Sequence, residues 1–524
     1  MFNGQKDQLF TLIQSLTKSE KRHFKLYVNR LQSASNSKFL QLFEVIDKYP
    51  DYNEQQLLEK LEGTEKKQLA NLKRHLYKQI LTSLRLTHIN KRIDIQIREQ
   101  IDFARILYGK GMYMQSLRIL ERIKKIAEEH HQDILHLEIL EFQKMIETRH
   151  ITRSRQAGKM KGLLESAHRR SFVTYAASLF SNLNIQMHGW YIENGHALNP
   201  EVALEVKKFY DKAKPDNIPP DRMTFHEKIN LYQANMWLHY ILLDFKKSKE
   251  YALQWLNQFE MEANLKGKDP DLYMRGIYYL LTLLYLEGNK ADYLHYLKTF
   301  EVFVTNQEDI FNENSQMIAF VYLYLSKLNY HLLQRDYQTA AQLEETIYEK
   351  INHFKDLLDP HRALLFYYKL AYCQFGLGAH EKCLLVLNRI VHLSDNFLRS
   401  DLLYAARILQ IVCHLELGSY DIASHLIQSC QRSFTRLKDV SPLQRQLLRF
   451  LAQLSKTPEL DHPEFFQTFL SENLDLIHSR EERRNVCFFD LVEWIHKHLP
   501  AGDLSSKDIL KNSKIVQLPQ NSSR

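Results

Sequence analysis

The chain carries 24 histidines and five cysteines, raw material for metal binding or nucleophilic catalysis if the spacing suits. The spacing suits neither. FHEKIN (225–230) opens with the His-Glu pair of a zinc-protease helix but has no second histidine one turn later, so two imidazoles cannot share a tetrahedral ion. His130 and His131 are adjacent and would point about 100° apart on a helix. Cys373, Cys383, Cys413, Cys430 and Cys487 include no CxxC pair, and their odd number argues against a disulfide framework. They read as small apolar packing residues in a reducing cytosol. The glycine strings GKGMY (109–113) and GKMKG (158–162) lack both phosphate-loop spacing and a preceding strand. The sequence therefore predicts a non-catalytic cytoplasmic protein without a cofactor or metal site.

Binding chemistry has more support. Residues 1–92 hold 17 Lys and Arg against nine Asp and Glu, while the remaining residues balance at 53 of each. The whole net charge of +8 thus lies at the N-terminal end, which points to a nucleic acid or an acidic protein as partner, or else to a solvated basic face. Within this segment, QLLEKLEGTEKKQLANLKRHLYKQIL (56–81) reads as two amphipathic helices around Gly63. On the second, Leu69, Leu72, Leu76 and Ile80 share one stripe, and Lys67, Asn71, Arg74 and Lys78 lie opposite. That division suits a helix held on its domain by one face and presenting cations and an amide to phosphates and base edges with the other.

The elements that position these residues are helical throughout. Only 15 Gly and 12 Pro punctuate 524 residues, and apolar residues recur at helical spacing. Thr17 and Glu20 form a capping-box signature, and Asn53 can cap the next-but-one helix. No apolar run approaches the ~20 residues of a membrane span, and MFNGQKDQLF has no signal-peptide pattern, so no membrane insertion is expected.

From about residue 95 the chain reads as a train of helical hairpins. IDFARILYGKGMYMQSLRILERI (101–123) turns at Gly111, YYKLAYCQFGLGAHEKCLLVLNRI (367–390) at Gly378, and ILQIVCHLELGSYDIASHLIQSC (408–430) at Gly418. Turn positions at 247, 288, 335, 378 and 418 give spacings of 41, 47, 43 and 40 residues. Two further turns are expected near Gly158 and Gly195.

These hairpins resemble the tetratricopeptide repeat, with units longer than its ~34 residues and without its Trp and Pro positions. Residues 54–81 resemble a helix-turn-helix, with Glu59 where a small residue is usual and a second helix that runs on. The expected fold is all-α. It comprises a basic helical domain (1–92), a tetratricopeptide-like α-solenoid (93–440), a helical capping region (441–500) and a flexible tail (501–524). The resemblance implies that Tyr278, Tyr285, Tyr322, Asn329, Tyr368, Tyr372 and Phe375 face a concave groove that takes a protein or peptide; the alternative is that they space successive hairpins. It implies an adaptor or scaffold. The alternative is a signal-responsive transcription regulator with an N-terminal DNA-binding domain, like the bacterial regulators of that layout. Partner identity and oligomeric state do not follow from the residues.

Overall fold

The protein is all-α, and no strand occurs among the described residues. The computed structural model describes residues 7–30, 34–49, 54–61, 65–89, 92–150, 157–215, 218, 223–393, 400–434, 441–457, 462–479, 482 and 489–499. The expected turn at Gly63, the Asn53 cap, Cys487 and the tail from 501 lie outside these residues. The chain divides into two units, residues 1–178 with 222–225, and residues 179–221 with 226–524.

The first unit contains α1 (Gln8–Ser15), α2 (Lys18–Arg30), α3 (Ala34–Lys48), α4 (Glu54–Lys60), α5 (Lys66–His88), α6 (Ile93–Gly109), α7 (Tyr113–Glu129) and α8 (Asp133–His150). The division falls within α9 (Ala157–Asn194), a single helix of 38 residues. Gly158 lies in the first turn of α9, and residues 151–156, where the turn expected near it would fall, lie outside the described residues.

Two hydrophobic clusters form in this unit. Phe24, Leu42, Phe43, Leu69, Leu76 and Ile80 belong to the first, with Leu72 packed against it. Ile97, Ile101, Leu120, Ile123, Ile139 and Phe142 belong to the second. The capping box forms as expected, with the Glu20 N–H donating to Thr17 Oγ1 at 3.2 Å and the Thr17 N–H to Glu20 Oε2 at 2.9 Å.

The second unit continues with α10 (Pro200–Ala213), α11 (Phe225–Ile241), α12 (Phe245–Met261), α13 (Leu265–Lys268), α14 (Pro270–Glu287), α15 (Lys290–Gln307) and α16 (Glu313–Gln334). Then come α17 (Tyr337–Gln342), α18 (Glu344–His353), α19 (Pro360–Gly376), α20 (His380–Leu393), α21 (Ser400–Glu416) and α22 (Tyr420–Phe434). It ends with α23 (Pro442–Leu454), α24 (His462–Ile477) and α25 (Leu491–Lys497). Each helix packs mainly on the helices next to it or next but one in sequence: α14 on α12, α15 and α16, and α19 on α17, α20 and α21.

One turn design joins these pairs. A residue in the left-handed region ends the first helix at Leu243, Gly288, Arg335, Gly378 and Gly418. The N–H of the residue after it reaches back to a carbonyl in the last turn: Asp244 to His239, Asn289 to Leu284, Asp336 to His331, Ala379 to Gln374 and Ser419 to His414. This closure satisfies carbonyls that a helix end leaves open. Asp244, Asn289 and Asp336 then cap the next helix with their side chains. The turn expected at Lys247 lies at Leu243 instead, and Lys247 is inside α12. Leucine at positive φ is sterically disfavoured, so no residue-type signal marks it.

Small residues let the paired helices close. Ser248, Ala252, Ala340, Cys383 and Ala423 are fully buried, and Ser248 Oγ donates to Met236 O at 2.9 Å across the pair.

Candidate functional site

Arg362, in the first turn of α19, lies on two tyrosines from other helices. Its Cζ is 5.0 Å from the Tyr322 ring centroid on α16 and 5.8 Å from that of Tyr278 on α14. The two rings stack at 4.3 Å with planes 13° apart. Such placement over ring faces is the geometry of cation–π attraction. The ring series continues: Tyr278 meets Tyr279 at 5.9 Å, Tyr279 meets Trp237 of α11 at 5.4 Å, and Trp237 stacks on His188 of α9 at 4.5 Å.

These residues come from successive helices that begin hairpins, and apolar packing holds each in place. Behind Tyr279, Trp255 of α12 is fully buried and approaches it at 6.1 Å. A Cβ on Gly276 would sit 3.0 Å from Trp255 Cε2, so glycine is what lets α14 close on α12.

The electrostatics of this surface are positive. Burial lowers the His188 pKa, and the charges of Arg275 and Arg362 lower it further, which keeps the imidazole neutral at pH 7. Burial also disfavours the charge on Arg362, but Tyr278, Tyr322, Tyr279 and Asp359 outweigh it, so the guanidinium holds its proton more firmly than usual. Among the described residues no carboxylate pairs with Arg362 or Arg275. The Arg362 guanidinium makes one long contact, Nη2 to the Tyr322 hydroxyl at 3.5 Å.

Of the residues expected to face a groove, Tyr278 and Tyr285 are half-buried, and Tyr285 lies 5.3 Å from Lys369 Nζ. Tyr322, Asn329, Tyr368, Tyr372 and Phe375 are buried. Tyr322 joins Tyr278 in the stack. Tyr372 and Phe375 lie under the chain's own C-terminal segment: the Asp490 N–H donates to Tyr372 Oη at 3.1 Å, and Phe489 meets Phe375 at 5.8 Å. That segment is fastened by Arg335, whose Nη2 is 2.8 Å from Asp490 Oδ2 and whose Nε is 3.3 Å from Glu493 Oε2. Glu416 accepts the Trp494 Nε1–H at 2.5 Å and lies 2.7 Å from His498 Nε2.

One Cys-His-Glu grouping forms that the sequence did not announce. Hydrogen bonding from Cys383 and from His380 brings the Cys413 thiol down to about 7, against burial. His380 Nε2 lies 3.9 Å from Glu416 Oε2. The Cys413 side chain has no exposed surface, so no substrate atom reaches its sulfur in this state. Among the described residues no three or more His, Cys, Asp and Glu side chains form a metal-holding group.

On α5 the stripes fall as expected, with Leu69, Leu76 and Ile80 buried and Lys67, Asn71, Arg74 and Lys78 exposed. The helix is braced by α1, α2 and α3, while α4 packs on α3. Tyr27 Oη donates to Gln79 Oε1 at 3.0 Å, and His23 Nδ1 lies 2.9 Å from Ser83 Oγ. Glu59 on α4 is exposed.

No family model, curated protein or solved structure matches the chain. What it does is therefore argued from its own residues. Arg362 was not singled out in the sequence: its partners are 40 and 84 positions away on other helices, and its one local sign is a cation in a Pro-opened helix start. Among the described residues no helix is long and apolar enough to cross a membrane.

Proposed function

We propose that this protein is a non-catalytic adaptor. In this reading the helices that begin each hairpin line the concave face of a tetratricopeptide-like array, which binds a protein or peptide, and the basic N-terminal helices engage a second, acidic partner. The observation that carries it is the half-buried Tyr278, backed by a ring series from His188 to the buried Tyr322 that ends on a cation without a carboxylate partner among the described residues. Aromatic side chains give large contact area at small entropic cost, which suits a partner-binding surface.

Selection of a random 12-residue peptide display library on the full chain tests this. Peptides are expected to enrich, and the double variant Tyr278→Ala, Tyr285→Ala is expected to bind them at least about tenfold more weakly, the loss typical of interface anchors. Its melting temperature should stay near that of the parent. Absence of enrichment would count against the reading.

A second reading is favoured by the four polar side chains exposed in register on α5. Here the protein is a signal-responsive transcription regulator whose N-terminal helices bind DNA. Retention of the full chain on duplex DNA should then fall steeply with salt, and the triple variant Lys67→Glu, Arg74→Glu, Lys78→Glu should flatten that dependence by about 0.9 in log–log slope per lost phosphate contact. Retention that ignores salt removes this reading.

A further inference from the structure

The feature that adapter function alone does not explain is the state of Arg362. A guanidinium has five N–H donors in a planar fork, and taking it out of water is costly unless they are used. Here the guanidinium lies against the stacked α14 and α16 tyrosines, and its one side-chain hydrogen bond is the 3.5 Å contact to Tyr322. Asp359, which caps α19, accepts the His361 N–H at 2.8 Å and acts on Arg362 only from beyond ion-pair distance. Arg275, one turn before Tyr278 and Tyr279 on α14, is exposed.

We propose that Arg362 is an anchor for an acidic side chain of a bound peptide, whose neighbouring apolar or aromatic side chain lies against the half-buried Tyr278 ring. The proposal rests on the peptide-binding reading above and narrows its ligand to one charge class. Complementarity carries it: a guanidinium without a carboxylate partner among the described residues, set beside two tyrosine rings, matches a carboxylate next to a flat or aliphatic group. Arginine is suited to this because its fork grips both carboxylate oxygens while its plane stays on the rings, which a lysine ammonium does not do. Staying stacked on the tyrosines also keeps the fork oriented before the ligand arrives, which lowers the ordering cost of binding.

The test uses the full chain and the same display library. Enriched peptides are expected to carry Asp or Glu beside an aromatic or aliphatic residue, and their glutamate-to-glutamine versions are expected to bind about 10- to 100-fold more weakly, the loss for a charged hydrogen-bond pair. Arg362→Met keeps an unbranched apolar stem over the rings and should cause the same loss with little change in melting temperature. Arg362→Lys should recover only part of it. If peptides enrich without an acidic preference, or bind Arg362→Met unchanged, the acidic anchor is wrong while the peptide-binding reading stands. If Arg362→Met lowers the melting temperature by many degrees and peptide affinity is unaltered in folded protein, Arg362 is a structural staple. If nothing enriches, the peptide-binding reading itself fails.

Discussion

Replacing Gly376 by alanine is expected to destabilise the second unit by about 3 kcal/mol, the upper part of the usual range for an overpacked site. A Cβ there would lie 2.4 Å from Cγ and Cδ1 and 2.6 Å from Cδ2 of Tyr337. The ring cannot swing aside cheaply, because its hydroxyl donates to Glu493 at 2.8 Å and Tyr372 stands edge-on to it at 6.2 Å. Moving Tyr337 would therefore also loosen α25. Denaturant midpoints check the loss. In the double variant with Tyr337→Ala, the cost of Gly376→Ala should largely vanish, because the colliding ring is gone. Additive costs would mean that the collision is not the cause. Gly378→Ala makes a useful contrast: its φ of +73° strains alanine, yet a Cβ meets nothing within 4 Å, so its cost should be nearer 1 kcal/mol.

Trp255→Ala should cost about 3–5 kcal/mol, as large-to-small changes of buried aromatics do. Trp255 is fully buried between α12 and α14, and its ring is what Gly276 makes room for. The indole nitrogen has no acceptor among the described residues, so Trp255→Phe gives up mainly volume and should cost far less. Because Trp255 supports Tyr279, the alanine variant should also weaken peptide binding. Thermal melts together with peptide affinity separate the two effects, and loss of affinity in the phenylalanine variant at full stability would overturn this account.

Much of this architecture was legible because it rests on local geometry. The faces of α5 follow from helix periodicity alone, and Lys67, Asn71, Arg74 and Lys78 are exposed where a wheel places them. Turns at Gly111, Gly288, Gly378 and Gly418 announce themselves because glycine enters the left-handed region without cost. Leu243 enters it against its own preference and stayed hidden, while Arg335 was found by spacing, its residue type giving no sign.

The proposed binding surface was legible only in part. The tetratricopeptide resemblance put Tyr278 and Tyr322 on a shared face, but their stacking, and the seat of Arg362 upon it, depends on how far each hairpin is rotated against the next. Periodicity within one helix does not contain that angle. Tyr372 and Phe375 have the same phase, yet residues 489–498 lie over them, and that coverage comes from more than 110 positions along the chain.

The fastening of that last segment bears on how the second unit comes apart. Helices that touch only their neighbours in sequence unfold like a zipper, one end fraying while the other stands. Residues 490–498 instead bond to Arg335, Tyr337, Tyr372 and Glu416, which belong to three successive hairpins. Those hairpins cannot fray singly without breaking bonds held by the other two, so the clasp converts a series of independent openings into one shared cooperative event.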